Sequence, residues 1–233
     1  MNARPALRFE AVTARYEGAA LDALDRCTFS VAEGEKVALL GLNGSGKTTA
    51  LLAVAGLLPF SGRIEVFGTD VEERTLPSVR ERIGVLFSVP EDQILLPLVL
   101  DDVSYSLRQR GMPQEAAARR ARAVLSDLGG RPLADRHVHS ISHGERLRVA
   151  LAGVLAPSPS LLLLDEPSTT LDPPGKRDLA AVLAALPSAA LVATNEFAFV
   201  RAFCTKFLVL EKGGIVEEGS SLEALRFYQT YAQ

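Results

Sequence analysis

One segment restricts the fold more than any other: GLNGSGKTT, which joins the apolar run KVALL to the helical pattern ALLAVAGLL. It matches G-x-x-x-x-G-K-[ST] and has the required order of strand, glycine-rich loop and helix. The alternative, a flexible glycine turn that carries a surface lysine, would not require this order. Glycines let backbone N–H groups turn towards phosphate oxygens, and the helix N-terminus adds positive potential. Lys47 is expected to reach the β- and γ-phosphates, and the Thr48 hydroxyl to ligate Mg²⁺. The predicted nucleotide-binding residues are Gly41, Leu42, Asn43, Gly44, Ser45, Gly46, Lys47, Thr48 and Thr49.

A second feature is LLLLDEP, where the apolar run Leu161–Leu164 meets Asp165 and Glu166. A continuous apolar run indicates a strand covered on both faces, and open α/β sheets bind ligands beyond the carboxyl ends of their strands. Taken alone, such a carboxylate pair is as often a capping or surface feature. Beside a phosphate loop, it predicts that Asp165 faces the hydration shell of Mg²⁺ and that Glu166 polarises a water attacking the γ-phosphate.

Runs rich in Val, Leu and Phe alternate with helical patterns, which predicts an α/β fold with a largely parallel sheet. The hydrophobic content of 48% and charged content of 23% are typical of a packed protein. The predicted strands are Leu7–Thr13, Cys27–Val31, Lys36–Leu40, Arg63–Phe67, Ile83–Phe87, Leu161–Leu164, Ala190–Ala193 and Phe207–Leu210.

The middle of the chain has a different, helical pattern. In one segment, apolar residues recur at i, i+3, i+4 and i+7, which predicts a helix. We expect this helix to begin at Pro113 and to end at Gly129-Gly130. We therefore expect a single domain over 1–233, in which a helical subdomain at 88–157 interrupts an α/β core at 1–87 and 158–233. The recurring residues are Ala121, Val124, Leu125 and Leu128.

Charge and hydropathy exclude several classes of protein. The formal net charge of −3 gives no basic field for nucleic acid. No apolar run approaches the roughly 18 residues of a spanning helix, and the N-terminus lacks a signal-peptide core. Cys27 and Cys204 are far apart and lack metal-ligand spacing, which is typical of buried thiols in a reducing compartment. We expect a cytosolic protein unless a membrane partner holds it.

Two further segments complete a pattern. ISHGERLRVALAGVLA (Ile141–Ala156) resembles the signature L-S-G-G-Q with its following helix, and STTLD (Ser168–Asp172) resembles a loop that touches a partner subunit. With the phosphate loop and the acidic strand end, the chain resembles the ATP-binding subunit of ABC transporters over nearly its whole length. The resemblance implies an ATPase with a P-loop NTPase core, a mixed, mainly parallel sheet, an antiparallel β subdomain and an inserted helical subdomain.

The resemblance also implies cofactors and partners. Two such subunits form a head-to-tail dimer with ATP and Mg²⁺ between them, and integral membrane coupling and substrate-binding subunits hold the dimer peripherally at the cytoplasmic face of the membrane. Asp172 lies in the dimer loop, and Tyr16 stands where the family has an aromatic that stacks on adenine, although it is also an ordinary strand-end tyrosine. The signature residues that would face the partner's ATP are Ser142, His143, Gly144 and Glu145.

FSVPEDQILLP (Phe87–Pro97) is most similar to the energy-coupling-factor group, whose members import metal ions or vitamins. Nickel or cobalt is the first expectation for the cargo, and a vitamin such as biotin the second. The chain itself carries no residue that would identify the cargo.

Three positions depart from the family pattern. Ser88 replaces the family glutamine that links Mg²⁺ and the attacking water to the helical insertion, and Asn195 replaces the switch histidine. His143 and Glu145 replace a glycine and a glutamine. Losing a hydrogen bond to a charged group costs roughly 1.5–3 kcal/mol, or about 10- to 100-fold in rate. We therefore expect attenuated ATP hydrolysis; the alternative is a nearly inert subunit of an asymmetric heterodimer with a second ABC ATPase.

Overall fold

The computed structural model describes residues 5–220, and these fall into two units. The first unit takes its residues from 5–85 and 160–220, and the second comprises Leu86–Pro159. The outer ends of the expected core, at 1–4 and 221–233, lie outside the described residues. The strands within 5–220 are β1 (Pro5–Ala14), β2 (Leu24–Ala32), β3 (Lys36–Leu40), β4 (Phe60–Val66), β5 (Thr69–Asp70), β6 (Ile83–Leu86), β7 (Leu161–Asp165), β8 (Ala189–Thr194), β9 (Lys206–Glu211) and β10 (Gly214–Gly219).

Both units contain helices. In the part of the chain that is described, no helix is both long enough and apolar enough to cross a membrane. Short 3₁₀ turns lie at Pro90–Gln93, Arg131–Leu133 and Val138–Ser140. The α-helices are α1 (Lys47–Val54), α2 (Leu76–Arg82), α3 (Val99–Gln109), α4 (Gln114–Asp127), α5 (His143–Leu155), α6 (Pro173–Ala185) and α7 (Phe197–Val200).

A six-stranded sheet has the strand order β10-β9-β3-β8-β7-β6, and the predicted phosphate loop and acidic strand end follow two of its strands, β3 and β7. β3 pairs in parallel with β8 and β9, β7 pairs in parallel with β8, and β10 runs antiparallel to β9. Every residue of β3, β7 and β8 is buried, which confirms for β7 the prediction of a strand covered on both faces. Because parallel strands end at one edge, the residues that follow β3, β7 and β8 meet there.

A second sheet, in the order β2-β1-β4-β5, is antiparallel. Phe9 and Phe29 stack across its β1–β2 pair, with ring centroids 4.4 Å apart. The predicted α/β class, with a mixed sheet, an antiparallel sheet and a helical insertion, is therefore confirmed. The sequence missed β5, which has only two residues, and β10, a half-exposed edge strand whose GIVEEG sequence lacks a buried run.

The helical unit is built around α3, α4 and α5. Pro113 is the N-cap of α4, as expected. The helix ends in a Schellman motif: Gly129 has φ +69°, the Gly129 N–H donates to the Ser126 carbonyl at 3.0 Å, and the Gly130 N–H donates to the Leu125 carbonyl at 2.7 Å. The sequence thus predicted both ends of this helix correctly.

Leucine substitutions test how far stability depends on the buried strands. Leu163 of β7 is fully buried, whereas Leu21 in a loop is 81% exposed. We expect Leu163→Ala to lower the free energy of unfolding by about 2–5 kcal/mol, because it leaves a cavity in the buried core beside β7. The matched control Leu21→Ala should change it by less than about 0.5 kcal/mol. Urea denaturation followed by circular dichroism measures both, and equal effects would contradict this assignment of the core.

Candidate nucleotide site

Two glycines shape the loop between β3 and α1, because a β carbon at either position would collide with neighbouring atoms. Gly46 has φ +109°, and a β carbon there would collide with the Ala23 carbonyl oxygen. A β carbon on Gly41 would collide with Ser45 Oγ and lie 2.5 Å from the Leu210 carbonyl oxygen. The buried Ser45 Oγ has no hydrogen-bond partner among the described residues. The loop is therefore tightly folded and presents a polar interior, as a phosphate cradle requires.

Lys47 begins α1 and is only 6% exposed. Its Nζ donates hydrogen bonds to the carbonyl oxygens of Gly41 at 2.8 Å and Leu42 at 3.2 Å, and lies 3.8 Å from Glu166 Oε1. Burial lowers the pKa of Lys47, and the carboxylates of Glu166 and Asp165 oppose that shift. The amine is thus held inside the loop, near the two carboxylates that the sequence predicted to lie beside the phosphate loop.

Thr48 and Asp165 meet between the phosphate loop and the end of β7. The Thr48 hydroxyl donates to Asp165 Oδ2 at 2.9 Å, and Asp165 is 2% exposed. Hydroxyl and carboxylate oxygens are ligands that Mg²⁺ accepts, usually together with phosphate and water. The described residues contain no group of three or more His, Cys, Asp or Glu side chains able to hold a metal. A magnesium ion that uses few protein ligands and completes its shell with phosphate fits this donor set.

Glu166 has a strained backbone and an anchored carboxylate. Its φ is +46°, a left-handed conformation that non-glycine residues rarely adopt. The Glu166 N–H donates to the Ala193 carbonyl at 2.8 Å, while Oε2 accepts from the hydroxyls of Thr194 at 2.8 Å and Thr169 at 3.3 Å. These contacts turn the side chain along the carboxyl edge of the sheet.

Tyr16 and Asn195 lie at this side of the first unit. The Tyr16 hydroxyl is 3.2 Å from Thr49 Oγ1 of α1, and Tyr16 is 41% exposed. Asn195 is exposed and follows β8, whose last residue Thr194 pairs with Leu40 at the end of β3. The strand register therefore places Asn195 at the edge that also carries the phosphate loop.

Asp172 has a structural contact of its own. It is the N-cap of α6, and its Oδ1 accepts the Gly175 N–H at 2.9 Å. This contact fixes the end of the loop that the sequence assigned to a subunit interface.

The signature segment lies in the second unit, at the start of α5. Ser142 and Glu145 form a capping box: Ser142 Oγ accepts the Glu145 N–H at 3.3 Å, and Glu145 Oε2 accepts the Ser142 N–H at 2.7 Å. The Ser142 N–H holds the pKa of Glu145 below its usual value. His143 Nδ1 contacts the Glu91 carboxylate, and Gly144 lies in the first helical turn. Glu145, which replaces the glutamine of L-S-G-G-Q, thus caps the N-terminus of α5 together with Ser142.

Ser88 also belongs to the second unit, in an exposed bend after β6. Gln93, which follows it along the chain, accepts the Phe87 N–H on its Oε1 at 2.8 Å. This hydrogen bond closes the turn that carries Ser88.

Sequence reasoning missed the residues that surround Glu166 and the start of the loop after β8. They are Thr169, Thr194 and Glu196, whose Oε2 accepts from Ser168 Oγ at 3.0 Å and from Lys176 Nζ at 2.5 Å. The available signal was the position of Thr194 and Glu196 on either side of Asn195. Only the strand register, in which Asp165 pairs with Ala193, shows that Thr194 adjoins Glu166.

Comparison with known families agrees with this geometry. The family described as ABC transporter matches residues 24–169, which is more than half of the chain. The chain is 35% identical to the biotin transport ATP-binding protein BioM of Rhizobium etli, with 90% of this chain and 92% of BioM covered. It is 37% identical to the nickel import ATP-binding protein NikO of Rhodobacter capsulatus, with 95% and 91% covered.

A solved structure has the same fold. It is cbiO1 from Clostridium perfringens, part of the ABC transporter complex cbiONQ. The TM-score is 0.86 at 29% sequence identity, and the match covers 98% of this chain and 94% of cbiO1.

Alanine substitutions of two glycines test the strain assigned to the phosphate loop. Gly46→Ala forces a β carbon into the Ala23 carbonyl at φ +109°, so we expect it to lower the free energy of unfolding by about 1–3 kcal/mol or more. Gly153→Ala is the control, because its β carbon would meet nothing within 4 Å in the interior of α5. That control should be neutral or stabilise by up to about 1 kcal/mol. Urea titration gives both values, and an unchanged Gly46→Ala would contradict the loop geometry.

Proposed function

The chain belongs to the ABC transporter family, and we propose that it binds and hydrolyses ATP to power a membrane importer of the energy-coupling-factor type. Members of this family are ATPases whose hydrolysis drives transport. The observation that carries the proposal is the convergence of Lys47, Thr48, Asp165 and Glu166 at one edge of the sheet. In this proposal the core at 1–87 and 158–233 and the helical subdomain at 88–157 make a single ABC ATP-binding domain.

The phosphate loop would bind the triphosphate. Backbone N–H groups of Gly41–Thr49 and the N-terminus of α1 offer positive potential, and Lys47 Nζ would exchange its carbonyl contacts for β- and γ-phosphate oxygens. Thr48 and Asp165 would hold Mg²⁺, whose charge stabilises the phosphate oxygens when it is bound. Tyr16, half-exposed beside α1, offers a ring on which adenine can stack.

Glu166 is the proposed general base. Its carboxylate lies beside Lys47, the residue that would contact the γ-phosphate, so a water between them can be polarised for in-line attack. Asn195 at the same edge would contact the γ-phosphate through a neutral amide in place of the family histidine. Ser88 would reach magnesium through a bridging water. Both replacements support slow turnover.

A head-to-tail dimer is the proposed working state. Cassettes of this family dimerise and pair with membrane subunits. Asp172 would lie in the dimer loop, and the assembly would sit peripherally at the cytoplasmic face of the membrane. No nucleic acid takes part in this proposal. The residues proposed to contact the partner's ATP are Ser142, His143, Gly144 and Glu145.

The proposed cargo is a metal ion such as nickel or cobalt, with biotin as the second candidate. The names of NikO and BioM support both classes, and both proteins match this chain over most of its length. A nearly inert subunit paired with a second, fully equipped ABC ATPase is the alternative function, and Asn195 and Ser88 favour it. Glu166 and the adjoining Asp165 favour the active subunit.

Two substitutions separate binding from hydrolysis in the chain assembled with its membrane subunits. Lys47→Ala should weaken ATP binding by at least about tenfold, because a charged hydrogen-bond donor is lost. Glu166→Gln should keep ATP binding and lower kcat by about 10²- to 10⁴-fold. Equilibrium binding of ATP and a phosphate-release assay measure the two effects. A wild-type rate no higher than that of Glu166→Gln would refute the hydrolytic function and favour the inert subunit.

Asn195→His tests whether the missing histidine limits turnover. Histidine can reach farther and can carry a charge, so we expect kcat to rise by about 10- to 100-fold. Asn195→Ala is the matched control, since it removes the amide without adding an imidazole, and it should not raise kcat. Steady-state ATPase assays of the assembled complex decide the matter; no increase with histidine would mean that another step limits the rate.

A further inference from the structure

Thr194 makes a pair of hydrogen bonds that ties Glu166 to the loop after β8. It is fully buried at the end of that strand. Thr194 Oγ1 accepts the Glu196 N–H at 3.0 Å and lies 2.8 Å from Glu166 Oε2. A hydroxyl has one proton, and the backbone N–H cannot accept it. The proton therefore points at the Glu166 carboxylate, which accepts it.

The two oxygens of Glu166 have different surroundings. Oε2 accepts from Thr194 and, at 3.3 Å, from the Thr169 hydroxyl. Oε1 faces the phosphate loop, 3.8 Å from Lys47 Nζ. The two hydroxyls thus fix the rotation of the carboxylate and leave Oε1 on the side where the phosphate would lie.

We propose that Thr194 is a positioning residue for ATP hydrolysis, which holds Glu166 so that Oε1 accepts the proton of the attacking water. This inference rests on the proposed role of Glu166 as general base. In the balanced step, a lone pair of the water oxygen attacks the γ-phosphorus and the bond to the ADP oxygen breaks with its electron pair. The water proton passes to Oε1.

Glu196, the residue after Asn195, holds Thr194 in position through its backbone N–H. Glu196 accepts Ser168 Oγ at 3.0 Å and Lys176 Nζ at 2.5 Å, which ties the loop after β8 to the loop after β7 and to α6. Ser168 is fully buried, and the Lys176 side chain is 31% exposed. With its carboxylate held in this way, Glu196 directs its N–H at Thr194. The loop is thereby fixed on both sides of the exposed Asn195.

This network explains how a chain without the switch histidine can orient its base. Asp165 pairs with Ala193 across β7 and β8, so Glu166 and Thr194 are neighbours one residue beyond that pair. The left-handed φ of Glu166 turns its side chain along the sheet edge. Thr194 has a short, β-branched side chain with few rotamers. It can therefore donate its hydrogen bond to Oε2 without a large loss of side-chain entropy.

The test compares Thr194→Val with Thr194→Ser in the full chain assembled with its membrane subunits. Valine keeps the shape and removes the hydroxyl, so kcat should fall by about 10- to 100-fold while KM for ATP changes by less than about twofold. Serine keeps the hydroxyl and should keep kcat within about threefold. Equal losses with valine and serine, an effect confined to KM, or an unchanged kcat with valine would each overturn the proposal.

A second variant covers the case in which Thr194→Val does not fold. Thr169 is exposed, so Thr169→Val should fold normally while it removes the second hydroxyl from Oε2. We expect kcat to fall by about 3- to 10-fold at unchanged KM, less than for Thr194→Val because the hydrogen bond is longer. An unchanged kcat would overturn the proposal in that case. If wild type is no faster than Glu166→Gln, the proposed function itself fails; if wild type is active and the threonine variants match it, only this inference fails.

Discussion

The parallel pairing of three fully buried strands is the constraint on which the rest of the site depends. β3, β8 and β7 lie side by side, with Leu40 opposite Thr194 and Asp165 opposite Ala193. Since the carboxyl ends are aligned, each strand delivers its next residues to the same edge. A register shift of one residue would turn Asp165 to the opposite face and separate it from Thr48. Burial of apolar side chains on both faces of the strands is therefore what fixes the functional groups.

Burial also explains why the charges of the site stand together. Lys47 and Asp165 are both almost fully buried, and an isolated charge in such a place would be costly. Glu166 lies beside the Lys47 amine, Thr48 donates to Asp165, and hydroxyls donate to Glu166. These groups are already gathered at one edge, so in the proposed mechanism a nucleotide would only have to replace the carbonyl contacts of Lys47 and the Thr48–Asp165 hydrogen bond.

The sequence predicted the parts of the fold and site that depend on local patterns. Continuous apolar runs, a proline start and a glycine stop identified β3, β7 and α4 because their causes lie within a few residues of chain. The half-exposed edge strand β10 was missed because it has no buried run. The partners of Glu166 were missed for another reason: Thr194 approaches it only through strand pairing, and the distance along the chain gives no sign of that contact.

The departures from the family pattern differ in physical kind. Glu145 supplies a reciprocal cap to Ser142, so this replacement stabilises the start of α5 by itself. Asn195 has a shorter side chain than histidine and cannot carry a positive charge, so no local rearrangement can supply the missing cationic donor. Orientation of the proposed base can nevertheless come from elsewhere, since the hydroxyls of Thr194 on β8 and Thr169 in the turn after β7 hold Glu166 without a histidine. Positioning of the base and stabilisation of developing charge are thus separable, and in the proposed mechanism this chain keeps the first and weakens the second.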